Sequence, residues 1–224
     1  MLVGVVARVG AGDDVPEYSV PHPHPMLTEV LFNVPRGESE GDANGDGVRD
    51  AAGDEFIEIG NPYDHAINLG GYVLSSRLSS PVMDTGKGVR FVFPDVELGA
   101  HQIAVVFNGY GWDADGSIGT STNAPDGPRG EFGGALVFTM GNRSKMRALR
   151  NSGDFVLLSA PDGTPLDCVT WGDSQPQPPS EAYRLSTVAA GVSGSVQRVV
   201  AQGKMLPHKE IDGRLFSPGD VPQR

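Results

Sequence analysis

Short apolar runs alternate with clusters of glycine, proline and aspartate along most of the chain, and no stretch carries a capped apolar stripe at helical spacing. An amphipathic helix needs apolar residues at i, i+3, i+4 and i+7, whereas a half-buried strand needs alternation and a buried one a short continuous run. The sequence offers the second and third patterns. Candidate strands cover residues 26–32, 55–59, 67–69, 71–74, 89–93, 103–107, 135–138, 155–158, 166–171 and 195–200. Residues 103–107 are nearly all apolar, as expected of a buried central strand, and Asp162-Gly163 marks a hairpin turn between two runs. Many short strands between turns predict an all-β fold, a sandwich or a barrel.

A chain of 224 residues can form one large β domain or two small ones, and 38% hydrophobic content is enough for a core despite 31 Gly and 18 Pro. The formal net charge of −11 argues against nucleic acid as a partner, because the phosphate backbone would be repelled. The charge is uneven. Glu38, Glu40, Asp42, Asp46, Asp50, Asp54, Glu55, Glu58 and Asp64 face a single Arg49, while Arg143, Lys145, Arg147 and Arg150 sit together without an acid. The lone cysteine, Cys168, excludes an intrachain disulfide and reads as a buried structural thiol. No transmembrane segment is expected. Residues 1–21 read as a leader or linker and residues 22–224 as the folded domain. The start is only mildly apolar and Arg8 interrupts it, so either the protein is cytoplasmic or an export signal lies upstream.

The acidic run has internal order. In Asp42-Ala43-Asn44-Gly45-Asp46-Gly47-Val48-Arg49-Asp50, oxygen-bearing side chains recur at every second position, a Gly follows the third, and another carboxylate follows that. Calcium takes about six to eight oxygen ligands, and a tight loop with this spacing supplies them. Asp42, Asn44, Asp46 and Asp50 would give side-chain oxygens and Val48 its carbonyl. The helical version of such a loop closes on a Glu at its twelfth position, but Gly53 stands there, followed by Asp54 and Glu55 as candidate closing ligands. A strand-like run comes next, so this is a calcium loop feeding a sheet. A flexible acidic turn is the plainer alternative.

Other candidates carry less. Tyr110 and Trp112 lie in a glycine-rich stretch, residues 108–134, where an aromatic ring could stack on a sugar or contact a partner. The alternative is that they fold back onto the sheets. His22 and His24 lie between prolines and read as linker rather than metal clip. Glu58 sits in an apolar strand, so its side chain is expected on a solvated face or reaching the calcium loop. No Gly-x-Ser-x-Gly elbow, His-Glu-x-x-His helix or phosphate-binding Gly-x-x-x-x-Gly-Lys loop is present. Any two of the many carboxylates could lie close enough in space for glycoside hydrolysis, but nothing in the sequence marks a sugar-binding cleft.

Several segments resemble, in order, the lamin tail domain of secreted bacterial proteins. They are residues 27–32, the loop from Gly41 to Gly47, Asp54-Glu55-Phe56-Ile57-Glu58-Ile59-Gly60-Asn61-Pro62, residues 67–74, Phe91-Val92-Phe93-Pro94 with Leu98-Gly99-Ala100, Asn151-Ser152-Gly153-Asp154 with Leu166-Asp167, and Ser195-Val196-Gln197-Arg198 with Phe216-Ser217-Pro218-Gly219. The resemblance spans residues 26–219. It departs from the family at residues 108–134 and 172–194. It implies an immunoglobulin-like β-sandwich with long loops.

The function implied is a non-catalytic, calcium-stabilised module, extracellular or on the cell surface. It would bind an unknown protein or surface polymer in adhesion, attachment or assembly. Two alternatives stand beside it. One is a secreted calcium-dependent hydrolase, or an accessory domain of one, with residues 108–134 as a lid. The other is a purely structural unit stapled by calcium.

Overall fold

The computed structural model describes residues 24–37, 40–81, 83, 85, 87–199 and 203–220. The expected leader or linker, His22 and Glu38 lie outside the described residues. The strands are β1 (Met26–Leu31), β2 (Phe56–Gly60), β3 (Ile67–Asn68), β4 (Val73–Ser76), β5 (Arg90–Val92), β6 (Glu97–Leu98), β7 (Ile103–Phe107), β8 (Leu136–Thr139), β9 (Gly153–Ser159), β10 (Pro165–Gly172), β11 (Arg184–Val188), β12 (Val196–Val199) and β13 (Lys204–Pro207), and one short helix follows, α1 (His208–Asp212). The candidate strands of the sequence all carry strand structure. β6, β11, β13 and α1 were not expected, being short or half-exposed pieces with too few residues to show a period.

The fold is an all-β sandwich. One sheet has the order β13-β12-β1-β2-β7-β8, the other β11-β10-β9-β4-β5, and β3 pairs with β6 in a small ribbon. Side-chain alternation decides which residues fill the space between the sheets. Leu27 and Val30 of β1, Ile57 and Ile59 of β2, Ala104 and Val106 of β7, and Val156 and Leu158 of β9 all point into the main core. Fully burying a side chain of this size contributes about 1.5–3 kcal/mol. Phe32, just past β1, stacks on Trp171 of β10 with ring centroids 4.1 Å apart, and the Trp171 indole N–H donates to the Arg150 carbonyl at 2.8 Å.

The residues that alternate the other way in the six-stranded sheet build a second core. Leu31, Phe56, Val105, Phe107 and Val137 pack on its outer face beneath Val34, Ala43, Ile118 and Phe132. That outer face is therefore covered by the acidic loop and by residues 108–134.

Residues 108–134 and the first half of 172–194, where the sequence departs from the lamin tail pattern, are crossover connections. β8 runs parallel to β7, and β11 runs parallel to β10. A parallel neighbour cannot be reached by a tight hairpin and needs a crossover of about a dozen residues or more. Residues 108–135 and 173–183 are those crossovers. The first is not structureless. It includes a 3-10 turn at Gly130–Phe132, Gly119 bridges to Phe138, and the Arg129 N–H donates to the Ala135 carbonyl at 2.9 Å.

Asn61 fixes the turn after β2. Its amide nitrogen reaches the carbonyls of His65 at 2.7 Å, Leu98 at 3.1 Å and Gly99 at 2.8 Å, and its side-chain oxygen accepts from the Tyr63 N–H at 3.0 Å. This side chain joins the end of β2 to the β3–β6 ribbon. His24, the one described histidine of the proline-rich stretch, lies with Nδ1 2.6 Å from the Tyr72 hydroxyl.

Candidate functional site

The acidic loop folds on its own backbone. The Asp42 Oδ2 accepts from Gly47 N–H at 2.9 Å, the Asn44 Oδ1 from Asp46 N–H at 3.0 Å, and the Asp46 Oδ1 from Val48 N–H at 2.7 Å. Asp50 Oδ1 accepts from Ala52 and Gly53 N–H at 2.8 and 2.9 Å. Gly47 takes φ +86°, the left-handed region in which a Cβ is penalised. Arg49 fastens the loop to the chain leaving β1, donating to the carbonyls of Pro35 at 2.8 Å and Val34 at 3.0 Å.

Asp54 is fully buried and draws the two ends of the loop together. Its Oδ1 accepts from Ala43 and Asn44 N–H at 2.8 and 3.1 Å, and its Oδ2 from Asp50 N–H at 2.6 Å. Burial pushes its pKa up to about 6, with the Asp42 carboxylate adding to the rise and the three backbone donors opposing it.

The structure therefore brings Asp42, Asn44, Asp46, Asp50 and Asp54 into one loop. Glu55 does not join them. It stands immediately before β2, where the chain becomes extended and neighbouring side chains diverge, and its Oε2 accepts from Leu149 N–H at 2.8 Å and Asn108 Nδ2 at 3.3 Å. Burial holds its pKa well above the usual carboxylate range. The Val48 side chain is 66% exposed. Among the described residues, no three His, Cys, Asp or Glu side chains stand together as a ready metal-holding group.

Whether calcium suits this loop can be judged from its donors. All are oxygens, as a hard cation requires. The loop's own backbone bonds use only one carboxylate oxygen each of Asp42 and Asp46. The second oxygen of Asp42, Oδ1, is shut off from solvent and has no hydrogen-bond partner among the described residues. A buried, unsatisfied carboxylate oxygen is costly, and a cation would satisfy it. In donor type these residues suit the ion, although the described carboxylates are not gathered into a ready group.

Beside the loop lies a cleft of about 720 Å³. One wall is the loop, at Asp42, Asn44, Asp46 and Val48, and the opposite wall is the crossover, at Trp112, Asp113, Asp115 and Arg129. Trp112 is half-buried. Its ring meets Phe107 edge-on at a centroid distance of 5.4 Å, so one side rests on the second core. Tyr110 is separate from it. Lys145 Nζ lies 5.2 Å above the Tyr110 ring and 3.4 Å from Asp50 Oδ2, which joins the basic segment to the acidic loop. Sequence reasoning had the two aromatic residues but missed Asp113, Asp115, Arg129 and Glu131, whose approach depends on how the crossover folds.

Glu58 corrects an expectation. Alternation does place it on the face away from the main core, but that face is neither solvated there nor open to the acidic loop. Glu58 is fully buried, accepting from Thr28 Oγ1 at 2.6 Å and from Gly219 N–H at 2.7 Å. Across the strand pair it stands opposite Glu29, also fully buried. Glu29 Oε1 accepts from Ser195 Oγ at 2.5 Å and Ser217 N–H at 3.0 Å and lies 3.1 Å from His208 Nδ1. His208 Nδ1 is also 3.3 Å from Ser195 Oγ, and its Nε2 is 3.3 Å from Asp212 Oδ1. The serine and histidine of this line are sealed, both at 0% exposure with the serine hydroxyl donated to Glu29, while Asp212 at its end is exposed. Its role in the fold is to fasten residues 208–219 over the sheet.

Cys168 is buried against Phe155 and Leu157 on the outer face of the five-stranded sheet, and burial pushes its thiol pKa up. The chain matches no protein-family model, and no curated protein matches it.

Proposed function

We propose that the protein is a non-catalytic, lamin-tail-like binding module whose acidic loop is closed by calcium, working outside the cell or at its surface. The observation that carries this reading is the orphaned, buried Oδ1 of Asp42 in a loop whose other side-chain donors are also oxygens. Asp42, Asn44, Asp46 and Asp50, with the Val48 carbonyl, would hold the ion, and Asp54 would anchor the loop from beneath. Bound calcium supplies charge neutralisation and a rigid join between the loop and β2.

The test is thermal unfolding of the full chain in excess calcium, in chelator, and in magnesium. Calcium at about 100 times its dissociation constant adds about 2.7 kcal/mol. For a chain of this size that raises the melting temperature by roughly 5–10 °C. The shift should vanish in Asp42→Ala/Asp46→Ala. No shift with the unsubstituted chain would leave an acidic turn closed by its own backbone bonds.

A second reading, a calcium-dependent hydrolase, draws support from the same cleft, which places Asp113, Asp115 and Glu131 near Trp112. Among the described residues no histidine lines that cleft, so its chemistry would rest on carboxylates. Turnover of a chromogenic glycoside, abolished by Asp113→Asn or Asp115→Asn, would favour this reading over the first.

A further inference from the structure

We infer that the cleft between the acidic loop and the crossover binds a short basic segment of a partner protein, seating a lysine or arginine beside an apolar residue. The inference rests on the binding-module reading and names its ligand class. It does not require calcium to be bound.

Shape and composition come first. A volume of about 720 Å³ lies within the usual range for a ligand site and admits a few side chains. The walls combine apolar surface from Trp112, Ile118 and Phe132 with carboxylates from both sides. Trp112 is braced from behind by Phe107, so its free side is held in place without further ordering on binding.

Charge then selects the ligand. Among the described residues, Asp42, Asp46, Asp113, Asp115 and Glu131 line the cleft against Arg129 alone. Arg129 is already engaged, with Nη2 at 2.6 Å from Glu131 Oε1 and 3.6 Å from Asp115 Oδ2. Its guanidinium shows that these walls can seat a cationic side chain. Among the described residues, Asp42, Asp46 and Asp113 have no cationic partner within 4.0 Å. Carboxylates of one sign around a partly apolar cleft focus the field and draw in cations, an effect that salt screens. A neutral sugar would use the tryptophan but leave that charge unanswered. Calcium in the loop would neutralise Asp42 and Asp46 and leave Asp113 as the principal free carboxylate, so binding should persist with the ion present, though more weakly.

The test uses the full chain and a fluorescein-labelled nine-residue peptide of alternating Lys and Leu, followed by fluorescence anisotropy in calcium and in chelator. A peptide with Glu in place of Lys and a neutral cello-oligosaccharide serve as comparisons. Binding of the Lys peptide should weaken at least tenfold in Asp113→Lys and in Trp112→Ala, and at least tenfold between about 0.05 and 0.5 M salt. Asp113 is exposed, so Asp113→Lys keeps the test valid even where Trp112→Ala fails to fold. Asp64→Lys, an exposed acid away from the cleft lining, should leave binding unchanged. Equal weakening by Asp64→Lys would overturn the proposal, because attraction would then be to overall charge. Preference for the oligosaccharide, lost in Trp112→Ala, would overturn the ligand class and keep the binding module. Absence of any binding alongside a normal calcium shift would overturn the cleft proposal and leave the calcium reading intact.

Discussion

Arg198 of β12 and Asp167 of β10 meet across the two sheets, with the arginine Nη2 3.0 Å from both carboxylate oxygens. Both are essentially sealed from solvent, at 1% and 0% side-chain exposure. The pair is also tied to β1, since Arg198 Nε donates to the Leu27 carbonyl at 2.7 Å and Leu27 N–H donates to Asp167 Oδ2 at 3.0 Å. Breaking such a pair leaves one charge buried without its partner, whereas replacing both by apolar groups removes the desolvation cost as well. Asp167→Ala and Arg198→Ala should each destabilise by about 3–5 kcal/mol. Asp167→Leu/Arg198→Met should lose less than Asp167→Ala, the remaining loss coming from buried Arg184, which stands 3.9 Å from Asp167 and gives up that carboxylate in both variants. Chemical denaturation of the four proteins tests this, and equal losses in the single and double variants would contradict it.

Glu58 makes stability depend on pH. Burial raises its pKa from an ordinary 4.5 to about 8, and the facing Glu29 adds to the rise. Below about pH 4.5 the group is neutral whether the chain is folded or not, and its contribution to stability is fully present. Between about 4.5 and 8 the unfolded chain has released a proton that the folded chain keeps, so stability falls as pH rises. Above about 8 the contribution is gone and the curve levels. The slope is at most about 1.4 kcal/mol per pH unit from this group. Glu58→Gln, which keeps an acceptor for Thr28 and Gly219, should flatten the profile from pH 5 to 8. Urea unfolding at several pH values measures it, and an unchanged slope in the variant would assign the dependence elsewhere.

Gly53 controls the join between the acidic loop and the crossover. A Cβ there would strike the Tyr110 carbonyl oxygen, a backbone atom that cannot swing aside. The Gly53 carbonyl also accepts from Gly109 N–H at 3.1 Å. Gly53→Ala should cost about 1–3 kcal/mol and move the crossover away from the loop. Trp171 is fully buried and Trp112 half-buried, so acrylamide quenching of native emission reports chiefly on Trp112. Quenching should rise in Gly53→Ala, and unchanged quenching would show that the crossover holds its place without this contact.

The parts legible in sequence were those set by near neighbours. The short apolar runs placed the strands, and the spacing of Asp42, Asn44 and Asp46 with Gly47 marked a tight loop feeding a sheet. Adjacency misled at Glu55, which follows Asp54 in the chain but turns to Leu149 and Asn108 as the strand begins. What covers Glu58 is Gly219, 161 residues away, and no local pattern carries that information. The glycines of residues 108–134 announced a long connection. They did not announce that it links parallel strands, because strand direction is settled by pairing and not by composition.

That connection also guards the rim of the fold. β8 ends its sheet, yet on the side away from β7 the Gly119 N–H donates to the Val137 carbonyl and the Thr139 N–H donates to the Gly119 carbonyl, both at 2.9 Å. An unpaired outer strand is a template on which a second molecule can add its own strand. Here the protein's own crossover occupies those positions. Removing the stretch around Gly119 would expose strand backbone able to recruit further chains into aggregates.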